Sequence, residues 1–274
     1  MIFISCGGGM EIFRKMAITF ATLISGSSGN ATLISDGKTH ILTDCGMSGV
    51  KLKEALLKFG LSPDALSAVL VTHEHSDHIK GVGVIARRHK IPVYATEKTF
   101  LNMDCGKIDC SLLNIINPDE DFEIGKIGIH PFSIPHDAAD PVGYCYCCGA
   151  EKYSLATDIG HLNGYIMDNL YGSRKVLLES NHDIEMLQFG PYPFPLKQRI
   201  LSKTGHLSNA LAAKAALELI KHGTESIALG HLSHENNTPE IALLETHNYL
   251  TQNGVNIGHD VLLNVAKRYD ATVI

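Results

Sequence analysis

The sequence predicts an α/β fold in which two β-sheets pack face to face between layers of helices. Short strand-like runs occur in both halves of the chain, with helical periodicity between and after them. The composition does not shift sharply along the 274 residues, so we expect residues 16–274 to form a single domain. Residues 1–15 lack periodicity and contain Gly7-Gly8-Gly9, and we expect them to be a disordered extension.

Strand-like runs dominate the first third of the chain, at residues 17–24, 31–35, 39–44 and 68–72. Between the last two, apolar residues recur at helical spacing and Gly60 ends the run, which predicts a helix over 48–60. A second helix is expected over 77–89 and a strand over 91–95, whereas residues 96–120 show no clear pattern.

The second half alternates between the two patterns. Strands are expected at residues 127–134, 142–148, 153–157, 176–179 and 227–230. Helices are expected at residues 183–189, 195–203, 208–222 and 239–250. Ser208 is a favourable N-cap for the third helix, and Pro239 is a favourable first residue for the fourth.

The composition narrows the classes of function that are expected for this chain. The net charge of −6 is unlike that of a protein that coats nucleic acid non-specifically, although a local basic groove stays open as an alternative. No apolar run of about 18 residues occurs, so we expect no membrane span. Seven cysteines cannot all pair internally, which favours a reducing compartment such as the cytoplasm. Fifteen histidines favour a metalloenzyme, because histidine is the commonest metal ligand.

The strongest motif is Thr72-His73-Glu74-His75-Ser76-Asp77-His78, directly after the apolar run 69–71. It therefore lies where a strand ends and a helix begins, and loops at such ends hold functional groups on a rigid scaffold. His73 and His75 point to the same side of an extended chain. Asp77 and His78 follow on the first helical turn and can face a neighbouring point. One loop can thus supply ligands to two metal ions.

Four further residues complete a pattern that resembles the metallo-β-lactamase superfamily of metallohydrolases. Each follows a strand-like run, and they occur in the family's order: Asp44, His136, Asp158 and His231. The resemblance implies an αββα sandwich of two mixed β-sheets flanked by helices, with the site at the strand ends. The segments 25–30, 179–183, 205–209 and 231–237 are similar to the YycJ/WalJ subgroup, which is associated with exonuclease-like action on DNA in the bacterial cytoplasm.

The resemblance also implies two divalent metal ions, which could be zinc, manganese or iron. The ligands expected for the first ion are His73, His75 and His136, and those for the second are Asp77, His78 and His231. Asp158 would be shared between them. Two such ions can hold a bridging hydroxide and both changing oxygens of a displacement at phosphorus. Asp44 would support a ligand histidine from behind through a hydrogen bond.

We predict that Asp77, Asp158 and His206 are catalytic. His206 precedes a helix N-terminus, so it could protonate the leaving oxygen or contact a phosphate, with a loop-capping role as the alternative. Five residues are predicted to line the substrate: Ser28, Asn30, His182, Asn209 and His234. For His182 a structural role is as plausible, and for His234 a polar surface loop.

The cysteines allow two interpretations. Cys105, Cys110, Cys145 and Cys148 could form a four-thiolate zinc site. The strand pattern, however, puts Cys145 and Cys148 on opposite faces, which favours buried apolar roles.

The leading functional expectation is a binuclear metallo-phosphodiesterase, a nuclease that trims DNA from an end. Nucleic acid is then the expected partner, while the sequence leaves the oligomeric state open. The acidic net charge is the main objection, although Lys197, Arg199 and Lys203 could contact phosphates or form a solvated helix face. The alternatives are hydrolysis of a small ester, thioester or lactone, and a non-catalytic protein that keeps the metals for stability.

Overall fold

The computed structural model describes residues 18–274. The predicted extension over residues 1–15, and the predicted domain start at residue 16, lie outside the described residues. In the described part, no helix combines the length and the apolar character needed to cross a membrane.

The described chain alternates between strands and helices. The strands are β1 Thr19–Ile24, β2 Ala31–Ser35, β3 His40–Thr43, β4 Ala68–Leu70, β5 Val93–Ala95, β6 Leu113–Ile115, β7 Phe122–Ile124, β8 Ile127–Ser133, β9 Val142–Cys148, β10 Glu151–Ala156, β11 Lys175–Glu179, β12 Ser226–Gly230, β13 Leu262–Val265 and β14 Thr272–Val273. The α-helices are α1 Gly49–Leu57, α2 Ser76–Ile79, α3 Val82–His89, α4 Glu97–Asn102, α5 Gly164–Leu170, α6 Ile184–Phe189, α7 Phe194–Ile200, α8 Asn209–Lys221 and α9 Pro239–Gln252.

The strands form two seven-stranded mixed sheets. The first has the order β14-β1-β2-β3-β4-β5-β6 and the second the order β13-β12-β11-β10-β9-β8-β7. In the first sheet β3, β4, β5 and β6 pair in parallel, and in the second sheet β10, β11, β12 and β13 do so. Each sheet therefore sends several strand ends to the same edge, where loops can meet.

The alternation of side chains between the two faces of each strand explains why both sheets are covered on both faces. Ile41 joins a core that contains residues of both sheets, while its neighbour Leu42 joins a core shared with α1 and α3. Likewise Leu177 faces the inter-sheet core, while Val176 and Leu178 pack in the cluster that includes α5, α8 and α9. Since successive side chains of a strand point to opposite faces, both faces of each sheet are buried. The predicted αββα sandwich is confirmed.

The helix predicted over 77–89 is two helices, α2 and α3, which meet at Gly81. The Gly81 N–H donates to Cys45 O at 2.7 Å, and a Cβ at Gly81 would lie 2.3 Å from Met47 O. The helix is interrupted because this N–H bonds to the loop after β3 instead of to the carbonyl four residues earlier, and the close approach of that loop requires glycine.

Several short elements were not predicted: α4, α5, β6, β13 and β14. The last three are only partly buried, with exposed residues such as Ile115, Leu262 and Val273. A short strand with little burial has a weak alternating pattern, so sequence periodicity does not reveal it.

Candidate metal centre

The ends of six strands, two from the first sheet and four from the second, converge on one cluster of histidines and carboxylates, and His136 follows the fourth of the latter, β8. Asp44 directly follows β3, and the loop with His73 follows β4, its parallel neighbour. Asp158 and His231 follow β10 and β12, and the strand between them, β11, ends in Glu179. Because these strands run in the same direction within their sheets, their carboxyl ends meet at the same edge.

The first group of potential ligands is His73, His75 and His136. His75 Nδ1 lies 3.0 Å from His73 Nε2 and 3.3 Å from His136 Nε2. Such close nitrogens suit a shared cation. Burial and the nearby His78 and His136 rings hold the pKa of His73 well below its usual value, so this ring stays neutral as a ligand must.

The second group is Asp77, His78 and His231. Asp77 Oδ2 lies 3.4 Å from His78 Nε2 and 3.5 Å from His231 Nε2. Burial alone would lower the pKa of His231, but Asp158, Asp77 and Glu179 outweigh it and raise that pKa to about 10. The carboxylates thus favour positive charge at this point, which a bound metal ion can supply.

Asp158 lies between the two groups. Its Oδ2 is 3.4 Å from His78 Nε2, and its Oδ1 is 3.3 Å from His231 Nε2 and 3.8 Å from His136 Nε2. Asp158 Oδ2 and His231 Nε2 are buried and have no hydrogen-bond partner among residues 18–274. Buried polar atoms are rarely left unpaired, so this donor set fits metal ions.

Three residues of the cluster have a left-handed backbone conformation: Asp44 at φ 60°, Asp158 at φ 61° and His231 at φ 54°. Asp44 and His231 directly follow β3 and β12, and Asp158 lies two residues after the end of β10. Non-glycine residues adopt this conformation at a cost that the surrounding structure must offset, and such residues cluster at functional sites.

Asp44 and Asn30 lie behind His78. The Asp44 carboxylate accepts a hydrogen bond from His78 Nδ1 at 2.8 Å and two more from Thr72 N and Oγ1. His78 is thereby oriented with Nε2 toward the cluster. Asn30 was predicted to line the substrate, but it is 6% exposed and its Nδ2 lies 3.0 Å from His78 Nε2 and 3.3 Å from Asp77 Oδ2. The structure therefore places Asn30 beside the ligands rather than on the open cleft.

Glu179 is the residue that sequence reasoning missed. Its Oε1 accepts from His206 Nδ1 at 2.8 Å and from His231 Nδ1 at 2.9 Å. Its Oε2 accepts from the backbone N–H groups of Ile159 and Leu207. Although Glu179 is fully buried, the His206 and His231 rings keep its pKa well below the usual range. A charged residue at the end of the apolar run 176–178 was the available signal.

The other predicted substrate-lining residues differ in their exposure. Asn209 is fully buried and bonded to Ser180 and Asn237, and His182 is 1% exposed, so neither can line an open cleft. Burial lowers the pKa of His182 to about 4. Exposed His234 pairs with the adjacent Glu235. Of the five, only Ser28 lines an open cavity that Asp77 also lines; we call this cavity the metal cleft.

The cysteines take no part in the cluster. Among residues 18–274, the groups of side chains close enough to hold a metal ion contain no cysteine. Cys145 is buried and donates to Asn169 O, whereas Cys110 is exposed. The described part of the chain therefore does not support a thiolate zinc site, and of the four cysteines only Cys145 fits the buried apolar interpretation.

Two cavities open next to the cluster and share Ser27 on their walls. One, of about 640 Å³, is lined by Glu74, Asp77 and Lys80 among others. The other, of about 140 Å³, is lined by Tyr192, Arg199 and His206 among others.

The basic residues before the His206 loop differ in their surroundings. Arg199 lies in the smaller cavity and pairs with Asp137. Lys197 instead donates to Gln188 O and Gly190 O, where it holds the end of α6. Of these two residues, only Arg199 is placed to meet a substrate.

The comparisons with known proteins agree with this geometry. The family model described as metallo-beta-lactamase superfamily matches residues 24–231. An exodeoxyribonuclease YycJ from Bacillus anthracis is 40% identical over 246 residues, which cover 89% of this chain and 93% of the relative. An exodeoxyribonuclease WalJ from Streptococcus pneumoniae is 39% identical over 250 residues, 90% and 93% of the two chains. The solved structure of YhfI from Bacillus subtilis, a metallo-beta-lactamase fold protein, aligns with a TM-score of 0.70 at 16% identity over 94% of this chain and 100% of that one. The chain therefore belongs to the metallo-β-lactamase superfamily, with WalJ and YycJ among its relatives.

Proposed function

We propose that this chain is an exodeoxyribonuclease that works with two divalent metal ions. The observation that carries the proposal is the buried cluster in which two groups of ligands share Asp158. The names of the YycJ and WalJ relatives, which align over almost their whole length, supply the nucleic-acid substrate and favour DNA. We assign the enzyme to the cytoplasm, on its cysteine content and this relationship.

In this proposal His73, His75 and His136 hold the first ion, and a second set, Asp77, His78 and His231, holds the other. Asp158 reaches both. The nitrogen-rich first group suits zinc, while the carboxylate in the second group also admits manganese or iron. Bound there, a pair of ions would supply Lewis acidity and activate water at neutral pH.

His206 is the proposed proton donor to the leaving oxygen. Its Nδ1 is held by Glu179, so Nε2 is the nitrogen left for the substrate. The ring lies 5.1 Å from that of His136 and 5.2 Å from that of His231, centroid to centroid, and its side chain is 18% exposed. The buried Glu179 carboxylate fixes the orientation of the ring, so that an Nε2 proton can pass to the leaving oxygen as the P–O bond breaks.

The acidic net charge is compatible with this function because bound metal ions would neutralise the carboxylates of Asp77 and Asp158. Arg199 adds a cation beside His206. Asp137 holds its guanidinium in place, and we propose that Arg199 contacts the phosphate of the terminal nucleotide.

The test is degradation of end-labelled single-stranded and duplex DNA with added Mn²⁺. We expect progressive shortening from one end, and loss of this activity in Asp158→Asn. Asp168→Asn, on the exposed side of α5, is the matched control and should keep full activity. Intact DNA after incubation with metal-loaded protein would refute the proposal, and equal activity of the two variants would refute the assigned metal centre.

A further inference from the structure

A groove with basic walls lies on the other side of the loop 25–30 from the metal cluster. Its volume is about 460 Å³. Four cationic side chains line it, and we call the site the basic groove: Lys51, Lys58, Lys80 and Arg268. Two carboxylates, Glu54 and Asp270, also line it. The lining is thus positive in a chain whose net charge is −6.

The basic groove is continuous with the metal cleft. Ser28 and Lys80 line both the groove and the 640 Å³ cavity that contains Asp77. The wall between them is thin. Gly46, which lines the groove, donates to Asn30 O, and Asn30 N donates to Asp77 O at 2.8 Å. A strand that leaves the metal cluster on this side therefore enters the groove at once.

Most of the positive charge in the groove is not neutralised. Lys58 pairs with Asp270 at 2.5 Å, whereas Lys51, Lys80 and Arg268 form no ion pair with any residue from 18 to 274. Lys51 and Lys80 are exposed. Arg268 is anchored, because its Nη2 donates to Leu232 O at 2.7 Å, next to His231. Concave surfaces lined by one sign of charge concentrate the field and attract the opposite charge.

The cavity on the His206 side of the metal cluster is smaller. The cavity beside His206 measures about 140 Å³, against about 460 Å³ for the basic groove. A strand end fits the smaller space more readily than a continuing strand does. The two sides of the site thus differ in size and charge, as expected for an enzyme that removes nucleotides from an end.

We propose that the basic groove binds the phosphate backbone of the DNA strand that continues beyond the nucleotide at the metal cluster. Lys51, Lys80 and Arg268 contact phosphates in it, as cations do in grooves that follow single strands. The inference rests on the proposed function, because it takes the ligand of the metal cluster to be DNA. It adds a direction: the strand end lies toward His206 and the remaining strand toward Lys51.

The test compares Lys51→Gln with Lys53→Gln. Both residues lie on α1 and are exposed, but only Lys51 lines the groove. The metal-loaded variants bind a fluorescent single-stranded 20-mer with phosphorothioate linkages, which slow cleavage, and anisotropy is measured over a range of salt concentrations. The slope of log K against log salt is negative, and its magnitude should decrease by about 0.7 in Lys51→Gln, the value for one lost phosphate contact. Lys53→Gln should match the wild type.

A kinetic comparison separates this inference from the proposed function. Lys51→Gln should lower kcat/KM for an unmodified 20-mer relative to kcat/KM for a nitrophenyl ester of a mononucleotide. Equal salt slopes and equal substrate ratios in the two variants would overturn the basic groove while leaving the nuclease in place. DNA binding with the predicted slope change, but without cleavage by the wild type, would refute only the nuclease.

Discussion

Glu179→Gln tests whether one buried carboxylate organises both histidines at the cleft. Glutamine has the same size but replaces one oxygen by an NH₂ group. Toward the His206 and His231 rings, that NH₂ would face two Nδ1–H donors. Toward the backbone, it would face the N–H groups of Ile159 and Leu207. Either orientation sets donors against donors in a fully buried place.

The magnitude follows from these four hydrogen bonds. Two of them lose their acceptor, and leaving a buried donor unsatisfied costs about 1–3 kcal/mol each. We therefore expect the free energy of unfolding of the metal-free protein to fall by about 3 kcal/mol. Because His231 also loses its fixed orientation, metal affinity should fall about 10–100-fold. Urea unfolding in EDTA measures the first quantity, and competition with a chelating dye measures the second.

Glu185→Gln, on the exposed face of α6, is the matched control. It should change the free energy of unfolding by no more than about 0.5 kcal/mol, the range of ordinary surface substitutions. If Glu179→Gln fell within the same range and kept its metal affinity, Glu179 would not be the residue that orients the histidines.

Three further changes test other parts of the structure. Gly46→Ala would place a Cβ 1.7 Å from Asp77 O, so the free energy of unfolding measured in urea should fall by about 3 kcal/mol. In the control Gly49→Ala the new Cβ has its nearest neighbour at 3.7 Å, and the free energy of unfolding should change by no more than about 1 kcal/mol. Equal effects of the two substitutions would contradict the close approach. His182 has a folded pKa of about 4 against an ordinary 6.5, so the unfolded chain binds a proton that the folded chain excludes. The free energy of unfolding is therefore lost as pH falls from 6.5 to 4. In denaturation curves recorded over this range, His182→Gln should lose about 3 kcal/mol less than the wild type. Parallel pH profiles of the two proteins would contradict this role of His182. Mn²⁺ at 100 times its Kd should raise the free energy of unfolding, measured by calorimetry, by about 2.7 kcal/mol per site. Asp158→Asn should lack this gain. No gain in the wild type would contradict the metal sites.

Local patterns in the sequence identified most of the fold's interior. The strands β2 and β9 have the predicted bounds, and Ser208 caps α8 as expected, its side chain accepting from Leu211 N. These elements are buried on at least one face, so their apolar spacing is strong. The half-exposed strands at the sheet edges, such as β13, carry no such spacing and were not found.

The candidate site divides in the same way. The motif over residues 72–78 is a local signal, because chain geometry alone puts His73 and His75 on one side. Asn30 and Asn209 were assigned to the substrate from sequence alone, yet both are buried in hydrogen-bond networks. Sequence shows which residues can do chemistry, but it does not show which way each one faces.

Periodicity in the sequence by itself determined the fold class, while one short motif and the family resemblance predicted the ligands and their order along the chain. Tertiary structure decided what depends on residues far apart in the chain. Glu179 joins His206 and His231 across 27 and 52 positions, and Lys51 meets Lys80 and Arg268 only around a groove. Such contacts arise from the pairing of parallel strands and the packing of loops at their ends, which no local pattern encodes.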